Sequence, residues 1–173
     1  PAVLELGGWK GELAHVMLEK FRDIHVWHNI EICREAVQKA VCHDILGRYT
    51  CNTLSDFFWL EKPNWVEMYN TLILSHVVEH MRLDDFVGTI AHCANKGIDY
   101  LYLDIPHITE GSHKAWRGWT NTHVLEGGWN DIEAILAQYG YGQVSGETTP
   151  RYYASAHGCL VLRKEQPAYA AAL

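Results

Sequence analysis

A glycine-rich turn near the start of the chain constrains its fold more than any other feature. The sequence Val-Leu-Glu-Leu-Gly-Gly-Trp-Lys-Gly covers residues 3–11, and Leu13, Val16 and Met17 then begin an amphipathic helical pattern. In α/β proteins, backbone N–H groups are presented to a ligand where a strand ends in an acid, a glycine turn follows, and a helix then begins. We therefore predict a ligand site at the end of the first strand.

Strand and helix patterns alternate along the rest of the chain. Residues 107–128 form a long irregular stretch, which we interpret as a candidate lid over a site. The connection between the last two strands is too short for a crossover helix, so we expect these strands to pair antiparallel. After the opening strand, the patterns predict helices at 12–22, at 33–41, from 83 to the Asn-Lys-Gly at 95–97, and at 130–139. They predict a turn and a short helix at 52–60. The predicted strands are 24–30, 49–51, 71–75, 99–105, 141–147 and 156–163.

Composition and charge exclude several classes of protein. The 173 residues are 48% hydrophobic, enough for one domain that buries roughly 70% of the surface of its unfolded chain. The 5 cysteines are scattered without a C-x-x-C pair, so we expect no disulfide framework and a cytoplasmic location. A net charge of −7 without a basic cluster argues against a nucleic-acid partner. This charge makes a small-molecule partner the expectation. No run approaches the ~20 apolar residues of a membrane span, so we expect no membrane partner.

The two ends of the sequence carry separate expectations. The chain begins at Pro1 without an initiator Met, which suggests that an upstream segment has been removed or left out. The final Ala-Ala-Ala-Leu at 170–173 is predicted to be a cloning remnant. We therefore place one domain at 1–169.

An acid at the end of the second predicted strand has the spacing of a ribose-binding residue. Glu31 follows Gly11 by about 20 residues, the distance at which dinucleotide-type folds place an acid on ribose hydroxyls. The alternative is a solvated charge at a strand end.

The segment His76-Val-Val-Glu79-His80 permits two interpretations. It matches the H-x-x-E-H motif of inverted zinc proteases. However, zinc binding requires both imidazoles on one helical face, and His76 directly follows the strand-like Leu-Ile-Leu-Ser at 72–75. This context favours a strand end at the edge of the sheet, and we predict no metal.

Taken in order, these segments resemble class I S-adenosylmethionine-dependent methyltransferases. The resemblance rests on residues 3–11, Glu31, the Leu-Ile-Leu-Ser-His-Val-Val-Glu-His-Met at 72–81, the Tyr-Leu-Tyr-Leu-Asp-Ile-Pro at 100–106 and the closing strand pair. It implies a doubly wound α/β fold, with a mostly parallel seven-stranded sheet and an antiparallel C-terminal strand pair. It also implies that S-adenosylmethionine lies across the carboxyl edge of the first strands.

The resemblance also implies which residues contact the cofactor. Gly7, Gly8 and Gly11 would lie beside its methionyl end. Trp9 departs from the family, which usually has a glycine there, so its indole either covers the cofactor or narrows the pocket. The predicted set is Glu5, Gly7, Gly8, Trp9, Gly11, Glu31, Ile32, Asn52, Thr53, Leu54, Ser75 and His76.

Methyl transfer is an in-line displacement at a sulfonium, so it needs a base only when the acceptor arrives protonated. Histidine titrates near neutrality and suits that task. The aromatic residues Trp116, Trp119 and Trp129 of the candidate lid and its border suggest a flat or sugar-like acceptor with a hydroxyl or amine, or else they only anchor the loop. The candidate bases are His76, His80, His107 and His123.

Two other functions remain open at this point. One is an NAD-dependent oxidoreductase on a related fold, although the glycine spacing departs from G-x-G-x-x-G. The other is a noncatalytic ligand-binding protein in which Trp9 blocks the cofactor. The oligomeric state stays open as well, with a homodimer among the alternatives.

Overall fold

The computed structural model describes residues 1–40, 47–50, 69–106, 129–143 and 157–164. Strands and helices alternate through these segments, and one turn of 3₁₀ helix at Val78–His80 follows the fourth strand. In chain order the elements are β1 (Ala2–Leu6), α1 (Glu12–Lys20), β2 (Val26–Ile30), α2 (Arg34–Gln38), β3 (Gly47–Thr50), β4 (Thr71–Ser75), α3 (Leu83–Asn95), β5 (Tyr100–Pro106), α4 (Trp129–Gln138), β6 (Tyr141–Gln143) and β7 (His157–Lys164).

These strands form one sheet in the order β3-β2-β1-β4-β5-β7-β6. The pairs from β3 to β5 are all parallel, whereas β7 runs antiparallel to both β5 and β6. The predicted α/β class with a parallel sheet is therefore confirmed. Because the chain moves outward from β1 to β3 and then returns to β4 on the other side of β1, the strand order reverses between β1 and β4. Open α/β sheets bind ligands at such a reversal, outside the carboxyl ends of the strands.

Apolar side chains on both faces of the sheet are buried against helices. On one face, Leu4 and Leu72 pack with Phe86 and Ile90 of α3. On the other face, Trp27 packs in a smaller cluster that includes Ala14 and Leu18 of α1. Burial on both faces explains why these strands are nearly continuous apolar runs rather than alternating ones.

Several element bounds differ from those predicted. Helix α2 covers Arg34–Gln38 rather than 33–41, because the N–H of Ala40 donates to the carbonyl of Val37 in a 3₁₀ pattern that closes the helix early. Helix α1 ends at Lys20 because Phe21 is extended, with φ of −118°. The predicted candidate lid at 107–128 and the short helix at 52–60 lie outside the described residues.

No helix in the described segments combines the length and the apolar character needed to cross a bilayer.

Candidate functional site

The glycine turn, residues 7–11, follows β1 directly and leaves no space for two of its missing side chains. Gly7 has φ of 71°, and a Cβ atom on it would collide with the Cγ2 methyl group of Val77. A Cβ atom on Gly8 would lie 2.6 Å from the side-chain amide of Asn29. Both glycines are therefore required by close packing against neighbouring strand ends, and Gly7 is required by its backbone conformation too.

Side chains of β2 and the residue after it hold the glycine turn in place. Asn29 Oδ1 accepts a hydrogen bond from the Gly8 N–H at 2.9 Å, and Glu31 Oε2 accepts one from the Trp9 N–H at 2.9 Å. The other carboxylate oxygen of Glu31 accepts from the Cys33 N–H at 2.7 Å, so one side chain joins the turn to the start of α2. Asn29 and Glu31 can act together because alternate residues of a strand point to the same face.

The backbone N–H groups of four turn residues donate to acceptors within the protein. Gly7 donates to the carbonyl of Ile30 at 2.7 Å, and Gly11 donates to the carbonyl of Gly8 at 2.8 Å. The sequence predicts that such N–H groups are presented to a ligand. In the structure, those of Gly7, Gly8, Trp9 and Gly11 all have acceptors of their own. The turn thus contributes shape and close approach at this site.

Glu5 lies near the end of β1, two residues before the turn, and is only 2% exposed. Its Oε2 accepts a hydrogen bond from Trp27 Nε1–H at 2.8 Å. Burial raises the pKa of Glu5 to about 7, the Trp27 hydrogen bond lowers it, and the nearby charge of Glu31 raises it. Near neutral pH this carboxyl group is therefore present in both protonation states, and a cation beside it would favour the ionised one.

Two large apolar side chains are exposed around these acids. Trp9 is 50% exposed, and Ile32, directly after Glu31, is 68% exposed. The Lys10 ammonium lies 6.0 Å from the centroid of the Trp9 ring. The edge next to β1 and β2 therefore combines buried acids with exposed apolar surface. This combination suits a ligand that has both polar groups and a flat ring.

A second group of polar side chains lies where β4 and β5 end. His76 Nδ1 is 3.7 Å from Glu79 Oε1, and His76 Nε2 is 3.7 Å from Asp104 Oδ2. His80 Nε2 lies 3.9 Å from the same oxygen of Glu79. We call these four residues the histidine–acid cluster. They meet because Ser75 and Asp104 are partners in the parallel pairing of β4 with β5.

The backbone at His76 is unusual, with φ of 54°. Its N–H donates to the carbonyl of Asp104 at 2.8 Å, which helps to hold this left-handed conformation. Non-glycine residues rarely adopt such a conformation, and those that do are often found at functional sites.

The segment after His76 is a single 3₁₀ turn, Val78–His80, rather than the helix that an inverted zinc-protease motif requires. Within the described parts of the chain, no group of three or more His, Cys, Asp or Glu side chains is arranged to hold a metal ion.

Most of the predicted site residues lie along this carboxyl edge. Two contacts there were missed by sequence reasoning, Asn29 and Trp27, although a polar Asn29 within an apolar strand is a usable signal. Asp104 was missed as a partner of His76. The described residues of the predicted set are Glu5, Gly7, Gly8, Trp9, Gly11, Glu31, Ile32, Ser75, His76 and His80, whereas Asn52, Thr53, Leu54, His107 and His123 lie outside the described residues.

Several solved structures that share this fold are methyltransferases. A magnesium protoporphyrin IX methyltransferase from Synechocystis, with S-adenosylhomocysteine bound, is 19% identical, with a TM-score of 0.67 over 95% of this chain and 74% of that chain. An S-adenosylmethionine-dependent methyltransferase from Archaeoglobus fulgidus is 13% identical, with a TM-score of 0.70 over 94% and 86%. An O-methyltransferase family protein from Burkholderia thailandensis is 15% identical, with a TM-score of 0.65 over 95% and 51%. No protein-family model and no curated protein matches the chain. At these identities the similarity establishes a shared fold.

Proposed function

We propose that this chain, whose fold is that of the class I S-adenosylmethionine-dependent methyltransferases, transfers a methyl group from S-adenosylmethionine to a small-molecule hydroxyl or amine. One observation carries the proposal. Two buried acids, Glu5 and Glu31, lie beside a tightly packed glycine turn at the point where the strand order of the sheet reverses.

The residues at this edge fit the chemical groups of S-adenosylmethionine. Glu5 has a pKa near neutrality, so a neighbouring ammonium group would stabilise its ionised form. Each carboxylate oxygen of Glu31 accepts one backbone N–H and has a further lone pair, which could accept from a ribose hydroxyl. The exposed side chain of Ile32 offers apolar surface to a flat base. Residues 52–54 are proposed to complete the adenine site.

The chemistry that bound S-adenosylmethionine supplies is a methyl group on a positively charged sulfur, open to in-line attack. The chain must position the acceptor and exclude water. For a hydroxyl acceptor it must also remove a proton, and His76 at the end of β4 is our candidate for that role. His80, His107 and His123 stay as further candidates.

Ligand binding tests this proposal without knowledge of the acceptor. We expect calorimetry to detect binding of S-adenosylhomocysteine and no binding of NAD. Glu31→Gln should weaken S-adenosylhomocysteine binding by roughly 10- to 100-fold, because the ribose hydroxyls would lose a charged acceptor, and a hydrogen bond to a charged group contributes about 1.5–3 kcal/mol. Glu19→Gln, a change at an exposed position of α1, is the matched control and should bind as the unmodified chain does.

Two outcomes would overturn the proposal. Binding of NAD in preference to S-adenosylhomocysteine would favour the oxidoreductase alternative. Absence of any melting-temperature increase with millimolar S-adenosylhomocysteine would favour a noncatalytic protein, since a ligand at 100 times its Kd adds about 2.7 kcal/mol to the free energy of unfolding.

A further inference from the structure

The imidazole of His76 lies between two carboxylates that approach its two ring nitrogens separately. Glu79 Oε1 faces Nδ1 and Asp104 Oδ2 faces Nε2, each at 3.7 Å. We infer that Glu79 is a positioning residue for His76, which it holds together with Asp104 in one ring orientation at the carboxyl edge of the sheet. The inference rests on the proposed function only in assigning that edge to the methyl acceptor.

Glu79 is itself held firmly enough to orient another side chain. It follows Val78, which is fully buried in the main apolar core, within the 3₁₀ turn after β4. Its side chain is only 5% exposed, so solvent screens its charge much less than that of a surface acid. Glu79 Oε1 also lies 3.9 Å from His80 Nε2, so this one oxygen faces both histidines of the segment.

One of the two carboxyl oxygens of Glu79 is buried without a hydrogen bond among the described residues. Its Oε2 is buried and makes no hydrogen bond to any residue in the described part of the chain. Burial raises the pKa of Glu79, its own backbone N–H and the charge of His80 lower it, and Asp104 raises it. A buried carboxyl with an unsatisfied oxygen is unfavourable and calls for an explanation, and a role in orienting His76 is one.

Asp104 is oriented by a separate contact. Ser75 Oγ donates a hydrogen bond to Asp104 Oδ2 at 3.2 Å, the same oxygen that faces His76 Nε2. The His76 ring therefore has an oriented carboxylate on each side, and its backbone is fixed by the hydrogen bond to the Asp104 carbonyl. A base whose ring is oriented by further groups is the arrangement that positioned proton transfer requires.

The chain offers a matched control for this arrangement. His15 and Glu19 on α1 form a pair with a similar separation of 3.6 Å, but their side chains are 41% and 65% exposed. An exposed pair of this kind imposes little order, because water screens the charges and the side chains stay free to rotate. Glu19→Gln therefore shows the effect of losing a histidine–carboxylate contact in an exposed pair.

The test is nuclear magnetic resonance of the histidine ring nitrogens in the free protein, with the His76 signals assigned by their loss in His76→Asn. We expect Glu79→Gln to displace the ring signals of both His76 and His80. Asp104→Asn should displace those of His76, and Glu19→Gln should affect only His15. A purely structural Glu79 would lower the melting temperature of Glu79→Gln and leave the ring signals in place.

Unchanged His76 ring signals in folded Glu79→Gln would overturn the inference. If that variant does not fold, Asp104→Asn decides, because Asp104 is partly exposed and its replacement keeps the shape of the side chain. Unchanged His76 signals there would overturn the inference equally. Binding of S-adenosylhomocysteine by the unmodified chain is a separate measurement, so failure of the proposed function would be recognised independently of the ring signals.

Discussion

The two halves of the carboxyl edge use their polar side chains in different ways. Beside β1 and β2, the side chains of Glu5, Asn29 and Glu31 accept hydrogen bonds of 2.7–2.9 Å from backbone and indole N–H groups. Beside β4 and β5, the acids and imidazoles of the histidine–acid cluster face one another at 3.7–3.9 Å. Short hydrogen bonds hold the first half together, whereas longer imidazole–carboxylate contacts hold the second.

The two kinds of contact suit two different tasks at one edge of the sheet. Short bonds from strand side chains to the glycine turn fix the shape of a binding surface before any ligand arrives, which lowers the entropic cost of binding. Longer contacts between titratable groups, with His76 about half exposed, leave room for a proton to move. This difference supports the proposal that the β1–β2 half recognises the cofactor and the β4–β5 half carries the acceptor chemistry.

The largest effect should follow from adding a methyl group to the first half. Gly7→Ala forces a Cβ atom against Val77 at a positive φ, so we expect a loss of about 2–4 kcal/mol in the free energy of unfolding. Gly97→Ala is the control, because Gly97 has φ of 79° and open space around its Cβ position. It should lose only about 1–2 kcal/mol, the conformational cost alone.

Urea unfolding measures both changes. Repeating Gly7→Ala in a Val77→Ala background should bring its loss close to that of Gly97→Ala. Equal losses for Gly7→Ala and Gly97→Ala in the unmodified background would show that close packing does not constrain the turn.

A smaller, pH-dependent effect is expected at Glu5. Since its folded pKa is raised to about 7, the folded chain keeps a proton that the unfolded chain releases between about pH 4.5 and 7. Stability therefore falls as pH rises through this window, by about 3 kcal/mol in total. Glu5→Gln keeps an oxygen for the Trp27 indole and removes the titration, so it should be more stable than the unmodified chain at pH 8, by about 2 kcal/mol.

Denaturant unfolding at pH 4.5 and pH 8 checks this sign. The stability advantage of Glu5→Gln should disappear at the lower pH, whereas Glu19→Gln should show no comparable pH-dependent gain. A Glu5→Gln variant that is less stable at pH 8 would show that the ionised carboxylate is favoured in the folded state.

The smallest effect is expected at Trp9, the residue that departs from the glycine pattern. Trp9→Gly relieves a positive φ of 50° but gives the unfolded chain more freedom, so the stability change should stay within about 1 kcal/mol. The bond to Glu31 uses the backbone N–H, which glycine keeps. S-adenosylhomocysteine affinity should therefore change less than about tenfold, and a much larger loss would show that the indole covers the ligand.

Local sequence patterns predicted the order of the elements. The glycine turn, the acid after β2 and the His76 strand end can be located from sequence because each depends on neighbouring residues. Helix α2 shows the limit of periodicity, since an apolar stripe over nine positions did not prevent an early 3₁₀ closure at Ala40.

What the sequence determined by itself is that an α/β chain presents glycines, acids and histidines at its strand ends, because strand and helix periods are local properties. Only the tertiary structure decided the partners. The β1–β2 register, which pairs Leu6 with Ile30, brings Glu31 to the glycine turn, and the β4–β5 register brings Asp104 to His76. These pairings join residues more than 20 positions apart, and long-range strand pairing is set by packing of the whole sheet, which no local pattern encodes.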